Sequence, residues 1–154
     1  MTGGPRVSAL VDGLEREHSA FLAALEAVPN PEGRRVIEAW DGRDLVVHCA
    51  FWSEHGANAL ELASSGRGSA FDYDNAQTDA MNAATAAAGH ATSLVDAMSR
   101  EAGAYRRFRD ALAGLDESLL DLQLGNGDLV EDVVRYDGPD HYAEHAAHLR
   151  AVTR

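Results

Sequence analysis

His141 and His145, four residues apart near the end of the sequence, are the first pair whose spacing carries chemistry. On a helix, residues at this interval lie on one face about one turn apart, so two imidazoles can aim at one point as half of a metal chelate. A third ligand has to come from another element. His48 is the donor that the pattern offers, because it belongs to the inner stripe Leu45, His48, Cys49, Trp52, Ala59, Leu60 of an earlier helix. Three protein ligands leave at least one coordination position for water or substrate, the arrangement of catalytic rather than structural zinc sites. Three imidazoles suit one divalent ion, zinc first, with nickel, iron and copper also compatible. The competing reading is two solvated or hydrogen-bonded histidines, since seven histidines in 154 residues meet an i,i+4 spacing by chance. What favours the metal is the inward-facing His48, because a buried imidazole needs a partner.

The remaining candidates are less determined. His55 follows His48 by seven residues and His148 follows His141 by seven, so each can serve as a fourth ligand, a general base or a substrate contact, or lie partly exposed near a bundle end. His18 and His90 carry no spacing argument. Cys49 points about 100° round the helix from His48 and reads as a small buried hydrophobe rather than a nucleophile. Asp137, Asp140 and Glu144 flank the His141–His145 pair, and one can accept a second imidazole N–H; Asp140 also fits as a first-turn acid on the helix dipole. Arg43, Arg106, Arg107 and Arg109 read as solvated charges rather than anion ligands. The sequence holds no GxxxxGK, GxGxxG or GxSxG, so nucleotide-dependent and elbow-serine chemistry have no support.

Positioning these histidines requires helices. Val7, Leu10, Val11, Leu14, Phe21, Leu22, Leu25 and Val28 recur at three- and four-residue intervals, which predicts a first helix ended at Pro29-Asn30-Pro31. A second opens at Asp41, with Asp44 three residues on as an acidic capping box, and runs to Ser64. A short, weakly packed helix is expected over 74–88. A stronger one follows from Thr92 or Ser93 through Leu112, with Leu94, Val95, Met98, Tyr105, Phe108 and Leu112 on its apolar face. Gly125-Asn126-Gly127 marks a turn and allows a brief hairpin between 115 and 136. The last helix starts at Gly138-Pro139-Asp140 and reaches Val152. No segment has strand character strong enough to demand a sheet. The fold class read here is all-α, an up-and-down four-helix bundle with an additional short helix, in one domain spanning 1–154.

Bulk composition sets the outer limits. Hydrophobic residues at 45% and charged residues at 25% suit a globular chain that can bury a core. A net charge of −12 opposes nucleic acid and anionic membrane surfaces, whose recognition rests on Lys and Arg. All 13 basic residues are Arg, which with abundant Ala, Gly and Asp fits a GC-rich coding bias. The single cysteine, and the lack of a long apolar segment at the start or elsewhere, lead to the expectation of a cytoplasmic protein with no membrane span. A homodimer is compatible with such a bundle, without an interface pattern to specify it.

The run WDGRDLVVHCAFW from Trp40 to Trp52 resembles the second-helix signature of the DinB-like superfamily, four-helix-bundle proteins that include thiol-dependent S-transferases and the maleylpyruvate isomerase N-terminal domain. HYAEHAAHLR, from His141 to Arg150, resembles the final-helix motif, and FDYDN from Phe71 to Asn75 matches in order and spacing. The resemblance implies a metal held by the second-helix histidine and two ligands four apart on the last helix, which fall here on His48, His141 and His145. It also implies a transferase that uses a low-molecular-weight thiol, and with the GC-rich composition it favours mycothiol. The extra C-terminal domain of the isomerase has no counterpart in these 154 residues, so that reaction is not expected.

Three functions remain open on this reading. The first is metal-dependent transfer of a mycothiol-type thiol to a small electrophilic molecule. The second is a metal-dependent hydrolase for detoxification or self-resistance. The third is a noncatalytic small-molecule-binding bundle whose pocket draws on Trp40, Phe51, Trp52, Phe71, Tyr73 and Tyr142.

Overall fold

Proline at the first helical position starts α1, Pro5–Glu26, which buries Val7, Leu10, Leu14, His18, Phe21 and Leu25 as one stripe. The computed structural model describes residues 2–153. Past α1 the chain reverses through Asn30, which adopts a positive φ of 54° between two prolines. Two short antiparallel strands follow, β1 (Arg35–Ile37) and β2 (Trp40–Asp41). The sequence reading had no sheet here, because three and two residues are too few to carry a strand period. The hairpin matters because it sets Trp40 over the ring of His48, centroid to centroid 4.7 Å.

Helix α2, Gly42–Ser64, is capped as the sequence predicts. Asp41 accepts from the Asp44 backbone N–H, and Asp44 accepts from the Asp41 backbone N–H, both at 3.0 Å. It is buried on more than one face, because α3 (Thr78–His90), α4 (Leu94–Ala113) and α5 (Val130–Asp137) all pack on it. Gly56 permits a close approach of α4 and α5. A Cβ there would stand 2.7 Å from Phe108 Cε2 on α4 and 3.2 Å from Asp137 Cβ. The last helix, α6 (Pro139–Val152), packs mainly on α1. Thus α1, α2, α4 and α6 form an all-helical bundle, and α3 is the short addition, burying only Thr85, Ala86 and Gly89.

The segment 115–136 differs from the expected hairpin. It contains a 3-10 turn over Glu117–Asp121 and one isolated bridge, Gln123 to Leu129, around the glycine turn where Gly127 takes φ +94°. It then enters α5, whose Val130, Val133, Val134 and Asp137 are buried at helical intervals.

One polar network ties the four long helices together. The Tyr142 hydroxyl of α6 donates to Glu101 Oε1 of α4 at 2.7 Å, and His18 Nε2 of α1 lies 2.8 Å from the same oxygen. With its proton committed to Glu101, the phenol oxygen accepts from Ser53 Oγ of α2 at 2.7 Å. Tyr142, Glu101 and Ser53 are at most 1% exposed, so nothing but protein satisfies these groups. Tyr142→Phe strands Ser53 and removes one donor from a buried carboxylate. Its expected cost is about 1–3 kcal/mol of unfolding free energy, measurable by urea denaturation with the slope unchanged.

Candidate metal centre

The second and last helices bring three imidazoles to one point. His48 Nε2 lies 2.8 Å from His141 Nε2, and His145 Nε2 lies 3.0 Å from the same atom. Ligand atoms of the three residues all fall within 4.8 Å of one another. His48 comes from the first half of α2, where the capping box fixes the helix start, and the other two lie one turn apart on α6 behind Pro139. His48 and His145 are buried, at 4% and 5% exposure.

These three nitrogens cannot satisfy each other by hydrogen bonding. A neutral imidazole carries one N–H, so His141 Nε2 can donate to only one of its two neighbours. A cation between them would accept all three lone pairs. Two imidazole nitrogens about 2.1 Å from one ion stand about 3.0–3.4 Å apart at angles of roughly 90–110°, close to the spacing found. The donor set therefore fits a divalent ion.

Electrostatics keep the lone pairs free. Burial lowers His48 to about 4, and burial followed by the proximity of His48 and His148 lowers His145 to about 3. His141 is held well below its ordinary value by burial, then by His145 and His48. All three are neutral at physiological pH. The Nδ1 of His145 lies 3.2 Å from His148 Nδ1, which can accept its proton and so leave Nε2 as the lone pair. The Nδ1 atoms of His48 and His141 are buried without a partner.

The triad opens on a cavity of about 830 Å³, lined by residues of the β1–β2 hairpin, α2, α3, α5 and α6. Of the six aromatic residues expected around a pocket, Trp40, Trp52 and Tyr73 line it. Phe51, Phe71 and Tyr142 do not, and Tyr142 serves the bundle network instead. Tyr136, on the far side of α5 from the buried valines and 69% exposed, lines the cavity unforeseen. Trp52 Nε1 donates to Asn82 Oδ1 at 2.9 Å, which ties α3 to the wall.

His55 is partly exposed, as the sequence allows, but it has a partner that the sequence does not show. Its side chain is 14% exposed, and Nδ1 lies 2.6 Å from Asp137 Oδ2. It does not join the triad. Asp137, expected near the His141–His145 pair as an imidazole acceptor, serves His55 instead. Cys49 is fully buried, and burial, then Glu101 and Glu144, push its thiol well above the ordinary range. It stays protonated. Arg107 and Arg109 pair with Glu61 and Glu15 at the surface, and Arg43 with Asp41.

A second group, Asp41, Asp44 and His90, also has ligand-type atoms within 4.8 Å. Three of its four carboxylate oxygens accept backbone hydrogen bonds, and the fourth, Asp44 Oδ1, accepts none. Asp41 accepts from the N–H groups of Asp44 and Gly33, and Asp44 from Asp41 N–H, with His90 Nδ1 at 3.0 Å from Asp44 Oδ1. The His18–Glu101 and His55–Asp137 pairs escaped the sequence reading because partners 83 and 82 residues apart leave no local signal.

No protein-family model, curated protein or solved structure matches this chain. Among the described residues, no helix is long and apolar enough to cross a membrane.

The lowered histidines set a pH dependence for the chelator-treated protein. Below about pH 6.5 the unfolded chain takes up protons that folded His48 and His145 refuse until about 4 and 3. Folding stability contributed by this difference is complete above 6.5 and is lost as pH falls toward 4. Thermal melts at pH 7.5 and pH 5 should show a larger drop in Tm for wild type than for His48→Leu; equal drops would contradict it.

Proposed function

We propose that this chain is a metal-dependent enzyme of the DinB-like kind, which holds one divalent ion, zinc first, on His48, His141 and His145. The activity proposed is transfer of a low-molecular-weight thiol of the mycothiol type to a small electrophilic molecule. The observation that carries this reading is the convergence of three Nε2 atoms on the wall of a cavity large enough for a small molecule. When bound, the ion supplies Lewis acidity that favours the deprotonated form of a thiol or of water beside it.

The chain's own residues account for the rest. Burial keeps the three imidazoles neutral, so they remain donors at the pH where a thiol would be used. Trp40 and Trp52 flank the His48 ring, which limits water on that side. Glu144, between His141 and His145 in sequence, also lines the cavity. Among the described residues no Arg lines it, which favours a thiol whose polar groups are hydroxyls over one with several carboxylates.

Elemental analysis of protein never exposed to chelator should return close to one divalent ion per chain, and His145→Ala should lose it. Consumption of an epoxide or haloarene should stop when mycothiol is withheld, and His141→Ala should abolish it. Turnover that continues without thiol and is lost in His141→Ala would replace the transferase by the hydrolase. Protein with no ion would leave the noncatalytic binding bundle.

A further inference from the structure

The cavity has a second pole, away from the triad. His55 stands seven residues beyond His48 on α2, about 10 Å further along the helix axis at 1.5 Å per residue. Its Nδ1 faces Asp137 Oδ2 at 2.6 Å, and both residues line the cavity. A neutral ring that donates Nδ1–H to this carboxylate presents a lone pair at Nε2. That Nε2 is buried and has no partner in the protein. Phe71, Tyr73 and Trp52 surround the ring, with centroids 5.0, 4.6 and 4.9 Å away, and none of them offers it a hydrogen bond. A native fold leaves few such groups unsatisfied unless a ligand or water meets them.

The charge around the cavity has one sign. Every charged side chain lining the cavity is acidic: Glu38, Asp79, Asp128, Asp137 and Glu144. Among the described residues, no arginine lines it. Asp137 is engaged by His55, and Asp128 accepts from the side-chain amide of Asn126. Glu38, Asp79 and Glu144 make no ion pair with a described residue. An anionic ligand would meet carboxylates and no Arg among the described lining residues, whereas a cation would meet carboxylates together with the rings of Trp40, Trp52, Tyr73 and Tyr136.

We propose that the small-molecule substrate is an organic amine, whose ammonium group donates to His55 Nε2 and is balanced by the carboxylates while its body lies along the aromatic wall. This names the substrate class for the cavity and rests on the reading of that cavity as the substrate site. Trp52 has its ring between those of His48 and His55, at 6.4 and 4.9 Å, so the amine is anchored across Trp52 from the triad. A reactive group at the other end of the molecule would then reach the three histidines. His55 is a binding and positioning residue in this arrangement.

The two tryptophans of the chain, Trp40 and Trp52, both line the cavity and report on it by fluorescence. Phenethylamine, phenethyl alcohol and 3-phenylpropionate are matched in size and differ in charge. Each is titrated into the protein as purified and after metal removal, since a carboxylate could also ligate an ion. The expected result is that the amine binds at least about tenfold more tightly than either other probe in both forms. Asp79→Asn and Glu144→Gln, at exposed positions that leave the core intact, should each weaken the amine about two- to fivefold and leave the alcohol unchanged. His55→Gln should abolish the preference, and in wild type the ¹⁵N resonance of His55 Nε2 should move on adding the amine.

Three results would overturn the proposal. They are equal or tighter binding of the carboxylate by metal-free protein, no saturable amine binding up to about 10 mM, and an amine affinity untouched by the rim variants. Metal content measured on the same samples separates this from the metal reading. A full complement of ion without amine preference defeats the amine alone, and amine preference without ion defeats only the metal.

Discussion

Tyr142 is the residue through which the bundle's four long helices are held in one register. Its hydroxyl spends its proton on Glu101 of α4, accepts from Ser53 of α2, and through Glu101 reaches His18 of α1. Hydrophobic packing alone lets helices slide by fractions of a turn at small cost, since Leu, Ala and Val contacts are nondirectional. A buried chain of hydrogen bonds does not, because each group left unpaired loses its partner without gaining water. Tyr142 directly follows His141 in α6, and Ser53 follows His48 in α2 by five residues. The network therefore fixes the two helices whose alignment decides whether three imidazoles meet.

That alignment explains why the candidate centre tolerates its own strain. His48 Nε2 and His145 Nε2 oppose His141 Nε2 at 2.8 and 3.0 Å, and the Nδ1 atoms of His48 and His141 have no partner. Such an arrangement survives only when the surrounding structure over-determines it, and strained polar clusters of this kind collect at functional sites. The pattern extends to His55, where a buried carboxylate engages one ring nitrogen and nothing in the protein engages the other. Among the described residues, three of the five buried side-chain polar atoms without a hydrogen bond belong to His48, His55 and His141 at the cavity, and the other two, Arg43 Nε and Asp44 Oδ1, lie at the start of α2.

Much of this was legible in the sequence where the signal is local. The Asp41–Asp44 capping box, the Pro139 start of α6 and the i,i+4 pair on it depend only on neighbours, and the structure contains each. His48 could be placed inward because its stripe is continuous with Leu45 and Trp52. The β1–β2 hairpin could not be read, being shorter than one period of alternation can establish. Helix α5 carries the right spacing in Val130, Val133 and Val134, but eight residues beside a glycine turn give that pattern little weight against a hairpin. The His18–Glu101 and His55–Asp137 pairs lay beyond reach for another reason. They join residues more than eighty positions apart, and only the folded arrangement of helices chooses such partners.

X-ray absorption at the metal edge of the protein as purified addresses the central claim most directly. Three imidazole nitrogens at about 2.0–2.1 Å, with the outer-shell scattering of histidine rings, are the first shell that His48, His141 and His145 would give to zinc. His48→Ala should reduce the count to two or remove the ion. A shell dominated by oxygen with at most one imidazole would place the ion elsewhere, as at Asp41, Asp44 and His90, and would contradict the account.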